Sequence, residues 1–265
     1  VTTKDDITLT AGPAELTVQG GNGCRIGSLR IDGTEVLRQG DHYGSFPMVP
    51  WCGRTENGRF LSGGQTYQLP ITDPPHAIHG TVRDKPWKLV RSSADEAVFT
   101  YDLTDPWPWD GRVTQIFSLS GDKVTVTMGV ETYGESFPAQ IGWHPWFKRH
   151  LREGGAEAEI AFDAAWQEER GENYLPTGKR IDPQPSPWDD CFGMPNGVDV
   201  TVTWADELEL RVKSREQWVV VYDHQPDGVC VEPQTGPPNG LNTHPRLVTP
   251  IDPLEASTTW SWRRL

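Results

Sequence analysis

Apolar and polar residues alternate with a period of two over much of this chain. The alternation runs through AELTVQ near Leu16, SLRIDGTEVLR around Ile31, WKLVRS around Leu89, AVFTYDL around Phe99 and the long RVTQIFSLSGDKVTVTMGVETY from Val113 to Tyr133. It resumes after Val198 in VDVTVTW, LELRVKS and WVVVYDH. Successive side chains of a strand point to opposite faces, so these runs predict half-buried strands, and their β-branched residues support the same reading. Ser120-Gly121-Asp122 reads as a hairpin turn between two of them, Gly supplying the positive φ. Only Asp163 to Arg170, DAAWQEER, reads as helical, for two turns, and Pro176, Pro183, Pro185 and Pro187 bar any helix beyond it. The proline-rich LPTGKRIDPQPSPWDD is expected as a long surface loop rather than a linker, because strands continue on both sides. The expected architecture is all-β, one antiparallel β-sandwich domain over residues 1–265.

Composition narrows the field. The 265 residues include 27 glycines and 23 prolines, enough for many turns without low complexity. No fixed-period repeat is visible, which leaves little support for a solenoid or propeller. With 24 Lys and Arg against 37 Asp and Glu, the net charge of −13 repels phosphate backbones and anionic lipid, so neither nucleic acid nor a membrane is an expected partner. Cys24, Cys52, Cys191 and Cys230 lie far apart with no Cys-x-x-Cys; they read as free thiols in a reducing cytosol, without a zinc ribbon or redox dithiol. VTTKDDITLT lacks the basic and apolar regions of a signal peptide, and no apolar run reaches the length of a membrane span, so a cytoplasmic protein is expected. Twelve tryptophans suit a wide sandwich core. Flat aromatic faces also bind the C–H faces of sugars, a role reserved for Trp51, Trp143 and Trp146 beside polar motifs.

Five segments carry isolated polar residues that strand logic does not need. In VPWCGRTENGRF, Arg54 sits among turn residues, where a solvated loop arginine is the plain alternative. In HAIHG, His76 and His79 stand three apart; on an extended segment they point to opposite faces, and no Cys or acidic residue joins them at metal-site spacing, so no metal is expected. His144 lies among aromatics in IGWHPWF, a setting where a histidine is more often a hydrogen-bonded core residue than a catalyst. Asp189 and Asp190 in PWDDCF alternate if extended, so at most one is expected to face a cleft. Glu232 in VCVEPQTGPPN ends an apolar-alternating run, where burial can raise its pKa toward the range of a general base; an ordinary rim glutamate is the alternative.

In this order the five segments resemble the aldose 1-epimerase (galactose mutarotase) family over nearly the whole chain. The matching residues are Arg54 with Gly58 and Phe60, Ile78-His79-Gly80, His144 in HPWF, Asp189 with Phe192, and Glu232-Pro233. Gly53 stands where many members have Asn before the arginine, and GWHPWF replaces the asparagine-histidine-serine form of the long mutarotases, which places the chain with the shorter bacterial members. The resemblance implies a large antiparallel β-sandwich, or supersandwich, and interconversion of α and β anomers of a monosaccharide without a cofactor. It also implies Glu232 as base, His144 as acid, His79 near the ring oxygen, and Arg54 and Asp189 on sugar hydroxyls, with Trp143 and Trp146 as candidate sugar-contacting aromatics. A hexose-6-phosphate 1-epimerase would need cations beside that pair, for which Lys148 and Arg149 are the candidates. A non-catalytic sugar-binding sandwich would need no base. An unphosphorylated aldose is the expected substrate, since the acidic chain disfavours a sugar phosphate.

Overall fold

In the computed structural model, which describes residues 6–265, the alternating runs form two large antiparallel sheets and little else. The smaller sheet has eight strands, its centre built from Gly111–Leu119, Lys123–Thr132, Leu254–Arg264 and Leu208–Ser214. Gly111–Leu119 and Lys123–Thr132 are the two arms of the hairpin expected around Gly121, but Gly121 does not take the positive φ expected of it: the turn closes with the Ser120 N–H donating to the Lys123 carbonyl. The larger sheet has eleven strands and runs through Arg25–Ile31, Ser45–Met48, Gly142–Lys148, Gly228–Gln234, Trp218–Tyr222 and Asp189–Gly193. Three two-stranded ribbons cap the sheets. The described helices are a single turn Gly240–Thr243 and the 3-10 turn Glu56–Gly58. No helix among the described residues is long and apolar enough to cross a membrane.

The sheets stack face to face, and one side of each alternating strand fills the space between them. Phe147 of the larger sheet meets Trp260 of the smaller, ring centroids 5.3 Å apart. The Trp143 indole donates to Gln115 Oε1 across the gap (3.1 Å), and Gln115 Nε2 donates in turn to the Cys24 carbonyl, so this buried amide is satisfied on both sides. Val219, Val221, Val229, Val231 and Phe192 belong to the same core. The other face of these strands, turned away from the smaller sheet, is left for chemistry.

Two local expectations are corrected. DAAWQEER is not helical: Trp166–Arg170 is a strand of the larger sheet, paired with Asp189–Gly193 and Pro176–Ile181. The Trp166 ring lies across Gly193 and edge-on to Trp218, and Gln167 and Glu168 are buried on either side, so tertiary pairing overrides helix propensity. The proline-rich segment is likewise only partly a loop, since Pro176–Ile181 is the last strand of the sheet. Proline is tolerated at the start of an edge strand, where its missing N–H breaks no ladder.

Candidate active site

Register brings the first two candidates together. Strand Gly142–Lys148 pairs with Gly228–Gln234 at Gly142↔Gln234 and Trp146↔Cys230, which sets His144 opposite Glu232 on the outward face. Pro145 and Pro233 bring no N–H to the stretch between those pairs. His144 Nε2 stands 3.3 Å from Glu232 Oε1, and both residues are buried. The His144 ring is stacked with Phe46 (4.6 Å) and with Trp146 (5.4 Å), and the His79 ring meets it edge-on at 5.1 Å.

His79 and Arg54 arrive from a ribbon in which Arg54–Thr55 pairs with Ala77–Ile78. His79 is not extended, contrary to expectation: its φ is +61 and that of Gly80 is +74. The left-handed pair turns the chain back so that the His79 N–H donates to the Gly53 carbonyl. A Cβ on Gly80 would fall 1.9 Å from the Val49 carbonyl oxygen, so this position admits only glycine. Gly53 has φ +62, which glycine adopts freely, and a Cβ there would fall 2.9 Å from Pro238 Cβ, so the packing of this chain favours glycine before the arginine. His76 stays out of the site: its Nδ1 accepts the Asn57 N–H and its Nε2 therefore donates to the Asn173 carbonyl.

His144, Glu232, His79 and Arg54 line one cavity of about 370 Å³. Arg54, His79, His144, Trp146, Asp189 and Glu232, singled out in the sequence, share its wall. Trp143 and Trp51 do not. Trp143 has the opposite parity to His144 and points into the core, and Trp51 is buried against Trp107 (6.1 Å). Lys148 and Arg149 also lie outside the wall; Lys148 Nζ donates to the Leu151 carbonyl, and Arg149 pairs with Glu157 and donates to the Gln225 and Asp223 carbonyls. Both adjacent carboxylates contribute to the wall, against the expectation of one. Asp189 shares the face of Cys191 and Glu232, whereas the Asp190 carboxylate folds back to accept the Asp189 N–H (3.2 Å).

The wall includes residues that sequence reasoning missed. Glu168 and Arg170 come from the strand taken for a helix, Tyr174 and Pro176 from the segment taken for a loop, and Tyr222 and Gln225 from the end of WVVVYDHQ. Strand parity was the available signal, because Glu168 and Arg170 follow Trp166 at steps of two. Arg170 Nη1 holds Asp189 Oδ2 at 2.6 Å, and Arg54 Nε holds Asp73 Oδ2 at 2.6 Å. Every cation in the wall thus has a carboxylate partner.

Burial governs the electrostatics. Desolvation raises the Glu232 pKa well above 4.5, Asp189 adding to the rise and Arg54 opposing it. It lowers that of His144 below 6.5, with help from Arg83, and that of His79 well below 6.5, with help from His144. Burial thus favours the uncharged form of each partner, an imidazole beside a carboxylic acid, over the ion pair. His144, Cys230 and Glu232 are the one group of potential metal donors among the described residues, their donor atoms within 4.8 Å. The Cys230 thiol is buried and its pKa is pushed well up, so it offers no ready thiolate to a metal.

Comparison with known proteins agrees with the fold. The aldose 1-epimerase family model matches residues 5–249, and the chain belongs to that family. It is 34% identical to the Escherichia coli (strain K12) protein YphB over 149 residues, a stretch spanning about half of each chain (53% and 51%). It is 26% identical to YihR of the same organism over 264 residues, covering 89% of this chain and 82% of that protein. A galactose mutarotase-like protein from Clostridium acetobutylicum superposes with a TM-score of 0.86 at 18% identity, covering 98% of this chain and 95% of that one. The two-sheet architecture is the galactose mutarotase-like β-sandwich.

Proposed function

We propose that the protein is a cofactor-independent aldose 1-epimerase that interconverts the α and β anomers of an unphosphorylated aldose. The observation that carries the reading is the buried contact of His144 Nε2 with Glu232 Oε1 at 3.3 Å on the wall of a sugar-sized cavity. The anomeric hydroxyl and the ring oxygen hang on the same carbon, so an acid and a base this close can address both at once. In the tautomer with Glu232 ionised and His144 protonated, Glu232 takes the proton of the C1 hydroxyl while the C1–O5 bond breaks and His144 delivers its proton to O5. The product is the open-chain aldehyde, and the pair is left as neutral carboxylic acid and neutral imidazole. Rotation about C1–C2 and the reverse transfers close the ring on the other face, restoring the first tautomer. His79 stabilises charge at the ring oxygen, Arg54 and Asp189 hold hydroxyls, and Trp146 offers a flat apolar face to the sugar.

The same pair sets the pH dependence. A second proton must sit on His144 beside a neutral Glu232, which burial opposes, so the acid limb of kcat falls below the ordinary histidine value of 6.5. Losing the last proton leaves a buried carboxylate, so the alkaline limb rises above the ordinary carboxylate value of 4.5. The expected profile is a bell with a wide plateau, measured at saturating sugar by polarimetry from about pH 3 to 10; a rate that falls at neither end counts against one acid working with one base.

Asp189→Asn is expected to raise KM about tenfold through loss of a charge-assisted contact and release of Arg170. Asp190→Asn, whose carboxylate accepts the Asp189 N–H and stands a longer 3.9 Å from Arg170 Nε, is expected to change KM less than about twofold. Steady-state kinetics of the two variants decides, and a swapped result would move the sugar contact to Asp190.

A free sugar is favoured because the wall carries Arg54 and Arg170, each already paired, against four carboxylates, Glu168, Asp189, Asp190 and Glu232. A phosphate dianion there would meet no unpaired cation among the described wall residues. Anomeric exchange followed by NMR for glucose, galactose and glucose 6-phosphate at equal concentration tests this. Faster exchange of a free sugar is expected, and a kcat/KM for the phosphate tenfold above both would overturn it.

A further inference from the structure

We propose that Tyr174 is a positioning residue of the sugar site: its ring fixes the guanidinium groups of Arg54 and Arg170, which set sugar affinity without taking part in proton transfer. The proposal rests on the reading of the cavity as a sugar site.

Tyr174 lies in the turn between strands Trp166–Arg170 and Pro176–Ile181, where the Gly171 N–H donates to the Leu175 carbonyl and the Tyr174 N–H to the Gly171 carbonyl. Its φ is +62, a conformation that bulky residues rarely adopt. Asn173, the neighbour better suited to that conformation, is used otherwise. Its side chain accepts the Leu175 N–H and its carbonyl accepts from His76 Nε2 (3.1 Å). His76 belongs to the segment leading into His79, so the turn is tied to the ribbon that carries both Arg54 and His79. Backbone strain at an exposed aromatic persists only where the surroundings hold it.

The result is a ring on the cavity wall that touches two arginines from different parts of the chain. The Arg54 guanidinium carbon stands 5.1 Å from its centroid and that of Arg170 5.5 Å. Each arginine has one close carboxylate contact, at Arg54 Nε and Arg170 Nη1. The Nη groups of Arg54 and Nη2 of Arg170 make no hydrogen bond among the described residues, which leaves donors for hydroxyls. A long guanidinium side chain loses much rotamer freedom when it binds a ligand. A ring that already orients both planes removes part of that loss before the sugar arrives. Tyr174 stands apart from His144 and Glu232 in this scheme, so its effect falls on affinity.

The test compares Tyr174→Ala and Tyr174→Phe with the wild type in kcat and KM by polarimetry, and in Kd for the same aldose by calorimetry. Tyr174→Ala is expected to raise KM and Kd together by about tenfold, the size of two cation–π contacts, with kcat within about twofold. Tyr174→Phe, which keeps the ring, is expected to stay within about twofold of the wild type in all three. An unchanged KM and Kd in Tyr174→Ala, a fall in kcat alone, or a Phe variant as defective as Ala would overturn the proposal. Should the wild type bind aldoses without speeding their anomeric exchange, the proposed reaction falls, and the Kd ratio of Tyr174→Ala to wild type still decides the role of Tyr174. A wild type that binds no aldose overturns both.

Discussion

Glu232→Gln is expected to slow mutarotation by about 10²- to 10⁴-fold while sugar affinity stays within a few-fold. Glutamine has the shape of the side chain but cannot accept the anomeric proton. Burial already favours the uncharged carboxyl in the empty site, so the amide enters the same surroundings as a neutral group, and the fold should hold. The loss therefore falls on kcat. Polarimetry on freshly dissolved α-glucose or α-galactose, paired with a calorimetric Kd, measures both quantities. Near-normal turnover in the variant would remove Glu232 from the mechanism.

His144→Asn is expected to lower kcat by about 10²- to 10³-fold and to change the form of the pH profile. With the imidazole gone, Glu232 titrates alone as the base, and activity should rise with pH through its elevated pKa in place of the bell. The substitution also removes a ring stacked between Phe46 and Trp146, at a cost of about 1–3 kcal/mol in stability. Thermal melting therefore accompanies the kinetics. A bell of unchanged limbs in this variant would assign the acid to another residue, with His79 next in place at 5.1 Å.

The sandwich was legible because alternation is a local property. Val113 to Tyr133 reads as two strands and a turn without knowledge of anything distant, and the structure pairs the two strands as a hairpin. The site was legible only as separate residues. Nothing local to GWHPWF and VCVEPQ states that Gly142 pairs with Gln234, yet that long-range register is what places His144 opposite Glu232. Trp143 could have been set aside from parity alone, since it alternates with His144 along an extended strand. DAAWQEER failed for the opposite reason. Its Ala, Gln and Glu content favours a helix, and the forces that make it a strand, Trp166 over Gly193 and Glu168 joined to Arg180 and the Trp166 indole, depend on tertiary pairing that its composition does not show. Arg170 and Tyr174 were lost with it, since a residue assigned to a helix or surface loop is not sought on a cavity wall.

The central claim is that the buried pair opens and closes the sugar ring by moving protons on oxygen alone. Exchange NMR of an equilibrated aldose in D2O, with and without the purified wild-type protein, tests it most directly, because the α and β H1 signals report interconversion and their intensities report any exchange at carbon. The account predicts strong catalysed cross-peaks between the anomeric H1 signals, lost in Glu232→Gln, with no deuterium entering C1 or C2. Cross-peaks no stronger than in buffer for every aldose tried, or deuterium appearing at carbon, would contradict it.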